Sequence, residues 1–305
     1  MTWSWSIPVS IAPGSALRIP PLVAARLRVV IPTFRDWNAA RVTIDSLLAC
    51  RPAPAEIVLV SDNNSRSAPA WTCRYPIDLV ATGENRGPAF ARNVGVALQT
   101  ERSIDWLLFT DTGCERDSGF LRVLSKHSHA QPRSCVAIAA PVRGVVVSPT
   151  ATPINHYMTE EGILQPPMQG GRPQAIVTAN AAVNLAAFKA VGGFDTSFRF
   201  AAAEDLDLGL RLLRLGGVSW APDAVVWHRF RESMRDFRKR FQRYGTGNAH
   251  LEARWRLSGM RPAPFRSSDP RLQQFADAQV IAMQRGYDRY RSASKYPPDA
   301  GEISA

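Results

Sequence analysis

Cysteine is scarce in this chain, and the few there are form no framework. Cys50, Cys73, Cys114 and Cys135 are scattered without a C-x-x-C pair, which removes zinc ligation and a dithiol redox motif and leaves reduced thiols as the expectation. Long apolar runs are missing too. None approaches the ~18 residues of a membrane-spanning helix, and the N-terminus lacks a charged region followed by an apolar core. The reading that follows is a cytoplasmic protein, with peripheral contact to a membrane left open. Internal repeats and low-complexity tracts are absent, so solenoid and fibrous architectures drop out. Acidic residues are outnumbered by basic ones, 26 to 37, for a net charge of +11. That excess favours an anionic partner such as a nucleotide diphosphate, an anionic membrane surface or nucleic acid, or else serves solubility.

What is present suits a soluble α/β protein. Of 305 residues, 45% are hydrophobic and 21% charged, enough to bury a substantial core. Residues 1–25, with Trp3, Trp5 and several prolines, carry no period and read as an extended arm. The β-branched run at 27–31 predicts a first strand closed by Pro32, Thr33 and Phe34, with Asp36 placed to cap the following helix. Residues 56–60 predict a second strand ending in the polar turn 61–65, and 77–81 a short third one. Pro88 opens a helix through Ala97. Residues 106–110, Trp-Leu-Leu-Phe-Thr, predict a buried fourth strand that stops at Asp111. Interleaved strands and helices of this kind imply a mostly parallel sheet flanked by helices.

Further along, 120–129 predicts a helix, 135–140 and 142–147 strands, 176–178 a strand and 184–191 a helix. Residues 148–172, rich in Pro, Gly, Thr and Gln, read as a long irregular piece: a lid, a binding loop or a disordered segment. A strong helix covers 203–215, followed by strands at 218–220 and 225–227. From 229 to 243, seven Arg or Lys are interleaved with Met234, Phe237, Phe241 and Tyr244, an amphipathic helix able to rest on a charged surface. A last helix is expected at 271–291.

Several polar residues carry two readings at this level. Asp111 ends a strand, where open α/β sheets meet ligands, or caps the helix beyond Asp117. Glu204 and Asp205 complement a helix dipole, or hold a base rigidly in a cleft. His228 is a structural hydrogen-bonder or a metal ligand.

The order of short motifs narrows these readings. Val-Ile-Pro-Thr-Phe at 30–34, Val-Ser-Asp-Asn-Asn-Ser at 60–65, Glu-Asn-Arg-Gly-Pro-Ala-Phe-Ala-Arg-Asn at 84–93 and Phe-Thr-Asp-Thr-Gly at 109–113 follow one another as in family-2 inverting glycosyltransferases. Thr-Ala-Asn-Ala-Ala at 178–182, Val-Gly-Gly-Phe-Asp at 191–195, Ala-Glu-Asp-Leu-Asp-Leu-Gly-Leu-Arg-Leu at 203–212 and Trp-His at 227–228 continue the resemblance. It covers about residues 27–250.

The resemblance implies a GT-A fold: a Rossmann-like nucleotide-sugar-binding half (26–116), an acceptor half (117–256) and a partly helical tail (257–305). Pro32, Thr33 and Phe34 match the turn along the nucleoside, and Asp62 matches the acid that meets the base, usually uracil. Arg86, Gly87, Arg92 and Asn93 match the segment near base and diphosphate. Asp111 matches the first acid of an Asp-x-Asp metal motif whose second acid is here Gly113. His228 matches a position that completes the metal site, so Mn²⁺ or Mg²⁺ on Asp111 and His228 would be bound weakly. Asp205 matches the catalytic base, and Glu204 and Asn180 the acceptor site.

The implied donor is a nucleotide-sugar, UDP-linked by expectation. The acceptor is unassigned: an envelope or lipid-linked glycan, a peptide or a natural product. A sugar-nucleotide-binding protein of the same fold, with its metal site decayed at Gly113, is the alternative. A nucleotidyltransferase would need a Gly-rich basic loop where Pro32-Thr33-Phe34 stands, and no nucleic-acid partner is expected.

Overall fold

The computed structural model describes residues 17–63, 68–145, 152–230 and 233–293. The motif residues 64 and 65, most of the N-terminal arm and the chain from 146 to 151 lie outside them.

The first βα units form where β-branched runs meet capping residues. Strand β1 (Leu27–Thr33) is followed by helix α1 (Trp37–Leu48), whose cap Asp36 accepts from the Ala39 amide at 3.2 Å, as expected. Strand β2 (Glu56–Ser61) and strand β3 (Asp78–Ala81) lead to helix α2 (Pro88–Ala97), with Pro88 in its first turn. Strand β4 (Trp106–Thr110) is wholly buried and is followed by the two-residue β5 (Cys114–Glu115) and helix α3 (Phe120–His129). Cys50, Cys114 and Cys135 are buried free thiols and Cys73 is an exposed one.

The second half departs from the sequence expectations in four places. After β6 (Cys135–Ala139) and β7 (Val142–Gly144), part of the stretch expected to be irregular forms helix α4 (Pro153–Glu160) and a ribbon of β8 (Met168–Gln169) and β9 (Arg172–Pro173). Thr152 caps α4 and Pro153 opens it, while Ile154, Tyr157 and Met158 are buried, so tertiary packing supplies what composition obscured. The strand expected at 176–178 lies later, as β10 (Asn180–Asn184), followed by α5 (Leu185–Ala190) and α6 (Glu204–Leu213).

Strands β11 (Gly217–Trp220) and β12 (Val226–His228) precede α7 (Met234–Trp255), which starts at its cap Ser233 and runs well beyond 243. Its apolar residues Phe237 and Phe241 are core residues, with Phe237 packed at 5.8 Å from Tyr157 and 6.1 Å from Phe275. The apolar face of this amphipathic helix therefore packs on α8 (Gln273–Ala293) and α4. No helix among the described residues is long and apolar enough to cross a membrane.

Seven strands make the main sheet in the order β11-β6-β10-β4-β1-β2-β3. All neighbours are parallel except β10, which runs antiparallel to both β4 and β6. A small sheet, β5-β12-β7, lies beyond the end of β4 and brings His228 opposite Cys114. The order places the carboxyl ends of β1, β2 and β4 side by side, where an open α/β sheet meets its ligand.

Candidate active site

The carboxyl ends of β1, β2 and β4 form one wall of a cleft of about 1430 Å³. That exceeds the usual volume of a small-molecule pocket, about 300–1,000 Å³, and leaves room for two substrates. Pro32, Thr33, Phe34, Asp62, Arg86, Gly87, Arg92, Asp111, Glu204, Asp205 and His228, all singled out from the sequence, line it. Asn93 and Asn180 do not.

The centre of the cleft is an ion network held by α2. Arg92 is 3% exposed; its Nη2 donates to Asp111 Oδ1 and its Nη1 to Glu204 Oε1, both at 2.8 Å. Helix α2 sets the guanidinium between the end of β4 and the start of α6. Burial alone would depress the arginine, but the charges of Asp111 and Glu204 outweigh it and the value rises.

Glu204 and Asp205 occupy the first turn of α6, which the preceding residue enters in a strained way. Ala203 has φ +68°, left-handed for a residue with a Cβ, and Glu204 Oε2 closes the turn by accepting from the Ala202 amide at 2.8 Å. Asp205 accepts from the Thr178 amide at 3.2 Å and the Leu206 amide at 2.9 Å. Three carboxylates thus surround one guanidinium. Burial pushes both carboxyls of the pair up, the Asp205 charge adds to the rise at Glu204, and Arg92 opposes it at both. A carboxylate with raised proton affinity on a rigid helix is suited to proton acceptance.

The end of the cleft near Asp62 is held together by backbone amides. Asp62, at the end of β2, accepts from the Arg86 amide at 2.9 Å and the Gly87 amide at 2.8 Å, tying β2 to the entry of α2. Gly87 has φ +89°, and a Cβ there would collide with the Arg199 carbonyl. The segment before Glu204 can lie across α2 only because this residue is glycine. Phe34 remains 47% exposed, a flat apolar ring at the cleft mouth. Arg86 instead stacks its guanidinium 3.6 Å over Phe90.

Two expected site residues stand apart from the cleft lining and bond to backbone. Asn93 donates to the Phe194 carbonyl at 2.8 Å and accepts from the Phe194 amide at 2.9 Å, so its amide is spent on anchoring the 193–194 turn. Asn180 is 2% exposed and donates to the carbonyls of Pro141 and Ala224, both at 2.9 Å, which joins β10 to its neighbours below the cleft. Both serve backbone groups that would otherwise be buried unpaired.

The cleft also contains residues that the sequence did not single out as site residues: Glu161 to Gln165, Arg199, Phe200 and, from α7, Arg240, Arg243 and Tyr244. The signal for the last three was the i, i+3, i+4 spacing on a helix read only as a basic surface.

The expected metal donors fall short of a set. Asp111 has one oxygen on Arg92, Gly113 has no side chain, and Glu115 turns to Arg229 at 2.5 Å. Burial pushes the Cys114 thiol up to about 12, and a thiol is in any case a poor partner for a hard cation that prefers oxygen ligands. His228 lies at the cleft with its ring 4.6 Å from Phe230, and a Cβ on Gly113 would lie 4.0 Å from its Nε2. Among the described residues no three His, Cys, Asp or Glu side chains converge as metal ligands. Two donors, one of them shared with a fixed cation, would hold Mn²⁺ or Mg²⁺ only together with water and the phosphates of a bound ligand.

Comparison with known proteins assigns the class to which this fold and cleft belong. Residues 28–191, more than half of the chain, match Glycosyl transferase family 2, and residues 131–279 match Glycosyl transferase family group 2. The chain belongs to glycosyltransferase family 2, and its fold is GT-A. Among solved structures it is similar to the mannosyltransferase PcManGT from Pyrobaculum calidifontis in complex with GDP-Man and Mn²⁺. There the TM-score is 0.55 at 16% identity, over 95% of this chain and 80% of that one. It is also similar to GalNAc-T7 with UDP, GalNAc and Mn²⁺, with a TM-score of 0.53 at 14% identity, over 89% of this chain and 58% of that one. Both were obtained with Mn²⁺, so the fold accommodates a divalent cation even though this chain's own donors are sparse. A search of curated proteins finds no match.

Proposed function

We propose that the protein is an inverting glycosyltransferase that moves a sugar from a nucleotide-sugar, UDP-linked by preference, to a hydroxyl or other nucleophile of an acceptor. The observation that carries this reading is the Arg92 network, which joins the strand-end acid Asp111 to the paired acids Glu204 and Asp205 in one cleft. Donor and acceptor chemistry are thereby held on opposite sides of a single guanidinium.

In the proposed reaction Asp205 accepts the proton of the acceptor hydroxyl as its oxygen forms a bond to the anomeric carbon. The bond from that carbon to the diphosphate breaks on the opposite face, and the nucleoside diphosphate leaves with the electron pair. One displacement of this kind inverts the anomeric centre. Thr178 and Leu206 amides orient Asp205, and Glu204, fixed by Arg92 and the Ala202 amide, shapes the acceptor side. Pro32, Thr33, Phe34, Asp62 and Gly87 line the nucleoside end. GDP- and UDP-bearing neighbours make both nucleotides reasonable donors to screen. The acceptor stays within the classes of glycan, peptide and natural product.

Gly113 favours a second reading, a protein that binds nucleotide-sugar without turnover. One experiment separates the two. Purified protein incubated with UDP-sugars and GDP-sugars should release the nucleotide diphosphate, and Asp205→Asn should lower transfer on the order of 10²–10⁴-fold, the usual contribution of a general base. Binding without release across an acceptor panel would support the second reading, and full transfer by Asp205→Asn would remove Asp205 as the base.

A further inference from the structure

We propose that Phe200 is a stacking platform for a sugar ring of the acceptor, so that the acceptor is a glycan presenting a pyranose to the cleft. The inference rests on the glycosyl-transfer reading above and names the substrate class on its acceptor side.

The first support is where exposed aromatic rings stand. Among the described residues six large hydrophobics are exposed. Val23, Met168, Leu215 and Ile281 carry no ring and lie outside the cleft lining, whereas the two aromatic ones, Phe34 and Phe200, both line it. Phe34 follows β1 and carries the Arg35 guanidinium 5.1 Å over its ring. Phe200 is 56% exposed and has no aromatic or cationic partner among the described residues, so its ring stays in water in the free chain.

The second support is that the segment carrying this ring is pinned. Phe198 is 2% exposed and stacks on His250 at 4.1 Å. The Arg199 backbone crosses α2 at Gly87, and a Cβ on Gly247 of α7 would lie 2.7 Å from the Ala202 carbonyl oxygen, so α7 meets the same segment closely. The Ala202 amide donates both to the Phe200 carbonyl and to Glu204 Oε2, each at 2.8 Å, which sets Phe200 two hydrogen bonds from the acid that opens α6. With its backbone held at these points, the ring gives up little freedom when a ligand stacks on it. Thr196 and Arg199, exposed on the same segment, also line the cleft, and neither side chain is hydrogen-bonded among the described residues. A lone ring flanked by unspent hydrogen-bonding groups matches a pyranose, which offers a face of C–H groups and a rim of hydroxyls. A lipid chain would call for a contiguous apolar surface, and here the ring's exposed neighbours in the chain are Arg199 and Ala201.

The test is turnover of the full chain with UDP-sugars and GDP-sugars, followed as release of the nucleoside diphosphate. The acceptors are methyl pyranosides of glucose, galactose, mannose and N-acetylglucosamine and, beside them, a serine-containing peptide and a phenol. At least one pyranoside should accelerate release in a saturable way. Phe200→Ala should raise KM for that pyranoside about tenfold, the loss of one stacked ring, while KM for the donor moves by less than about twofold. Phe200→Trp, which keeps a flat face, should hold the pyranoside KM within about threefold of the natural value. Acceleration by the peptide or the phenol alone, acceleration by no acceptor, or an unchanged pyranoside KM in Phe200→Ala overturns the proposal while release from the donor upholds the donor reading. If no nucleoside diphosphate is released from any donor, the donor reading fails and takes the proposal with it. Should Phe200→Ala not fold, as judged by circular dichroism, Phe200→Leu, which keeps apolar bulk without the flat face, is read in its place and should raise the pyranoside KM about fivefold or more.

Discussion

Arg92 and Glu204 are 112 positions apart in the chain and 2.8 Å apart in the structure, and the other arm of the same guanidinium reaches Asp111. One buried side chain therefore ties the end of β4 to the start of α6. Removing it leaves the Glu204 carboxylate buried without its partner, while the Asp111 side chain, 37% exposed, is still reached by water. Arg92→Ala should destabilise the protein by about 3–5 kcal/mol, measured by urea unfolding. Arg92→Lys should recover only part of this, because an ammonium cannot present two parallel donors to both acids.

The three carboxylates around that guanidinium set a pH dependence. Asp205 works as a base only when ionised, and its carboxyl is raised mainly by burial. The acid limb of kcat/KM should therefore lie above the ~4 of an ordinary carboxylate. The same group binds its proton more tightly in the folded chain than in the unfolded one. Its contribution to stability is complete below the unfolded value and is lost as pH rises through the folded value. Asp205→Asn should accordingly gain stability relative to the natural protein as pH rises above the ~4 of an ordinary carboxylate, which urea midpoints at each pH will read.

Gly87 should tolerate no side chain. Its φ of +89° is strained for any L residue, and a Cβ would strike the Arg199 carbonyl, which is backbone and cannot swing away. Gly87→Ala should cost about 2–4 kcal/mol and displace the segment that precedes Glu204. Lower thermal stability together with a reduced transfer rate is the expected result, and unchanged values in both would refute the close approach.

Gly113→Asp tests the empty position in the acid motif. The residue has φ +83°, so the substitution should cost about 1–2 kcal/mol in stability. Its new Cβ would stand 4.0 Å from His228 Nε2, with Asp111 two residues earlier. The variant should gain a Mn²⁺-dependent rise in melting temperature that the natural chain lacks. A variant with no response to Mn²⁺ would mean that Asp111 and His228 are not arranged as co-ligands.

Ala203→Gly should act in the opposite sense on stability. Relief of a left-handed alanine is worth about 1–2 kcal/mol, offset in part by the greater freedom of glycine in the unfolded chain, for a net gain of about 0.5–1 kcal/mol. A destabilised variant would show that the φ of +68° is not strained in this setting.

Legibility followed the strength of local signals. Strands β1, β2 and β4 could be read because runs such as Arg-Val-Val-Ile and Trp-Leu-Leu-Phe are buried on both faces and carry β-branched or large apolar residues. Strand β10 could not. Asn180-Ala181-Ala182-Val183-Asn184 has little strand propensity, and it is extended because β4 and β6 pair with it on either side. Helix α4 was hidden by a Pro- and Gly-rich neighbourhood and formed by burial of Tyr157 and Met158. Asn93 and Asn180 were placed at the site by their motifs, yet each turns its amide to backbone carbonyls. Side-chain direction of that kind is decided by which polar groups would otherwise be orphaned.

The sequence by itself determined the order of strands and helices up to α3, the family and the chemical inventory: the acids at 111, 204 and 205, the arginine at 92, and the glycine where a second acid was expected. These are properties of local runs and of residue types, which need no knowledge of distant partners. Only the tertiary structure decided that Arg92 joins Asp111 to Glu204, that the Thr178 amide orients Asp205, and that the basic residues of α7 divide between solvent and cleft. Each of those depends on strand order and helix packing, which bring together groups that sequence distance keeps apart.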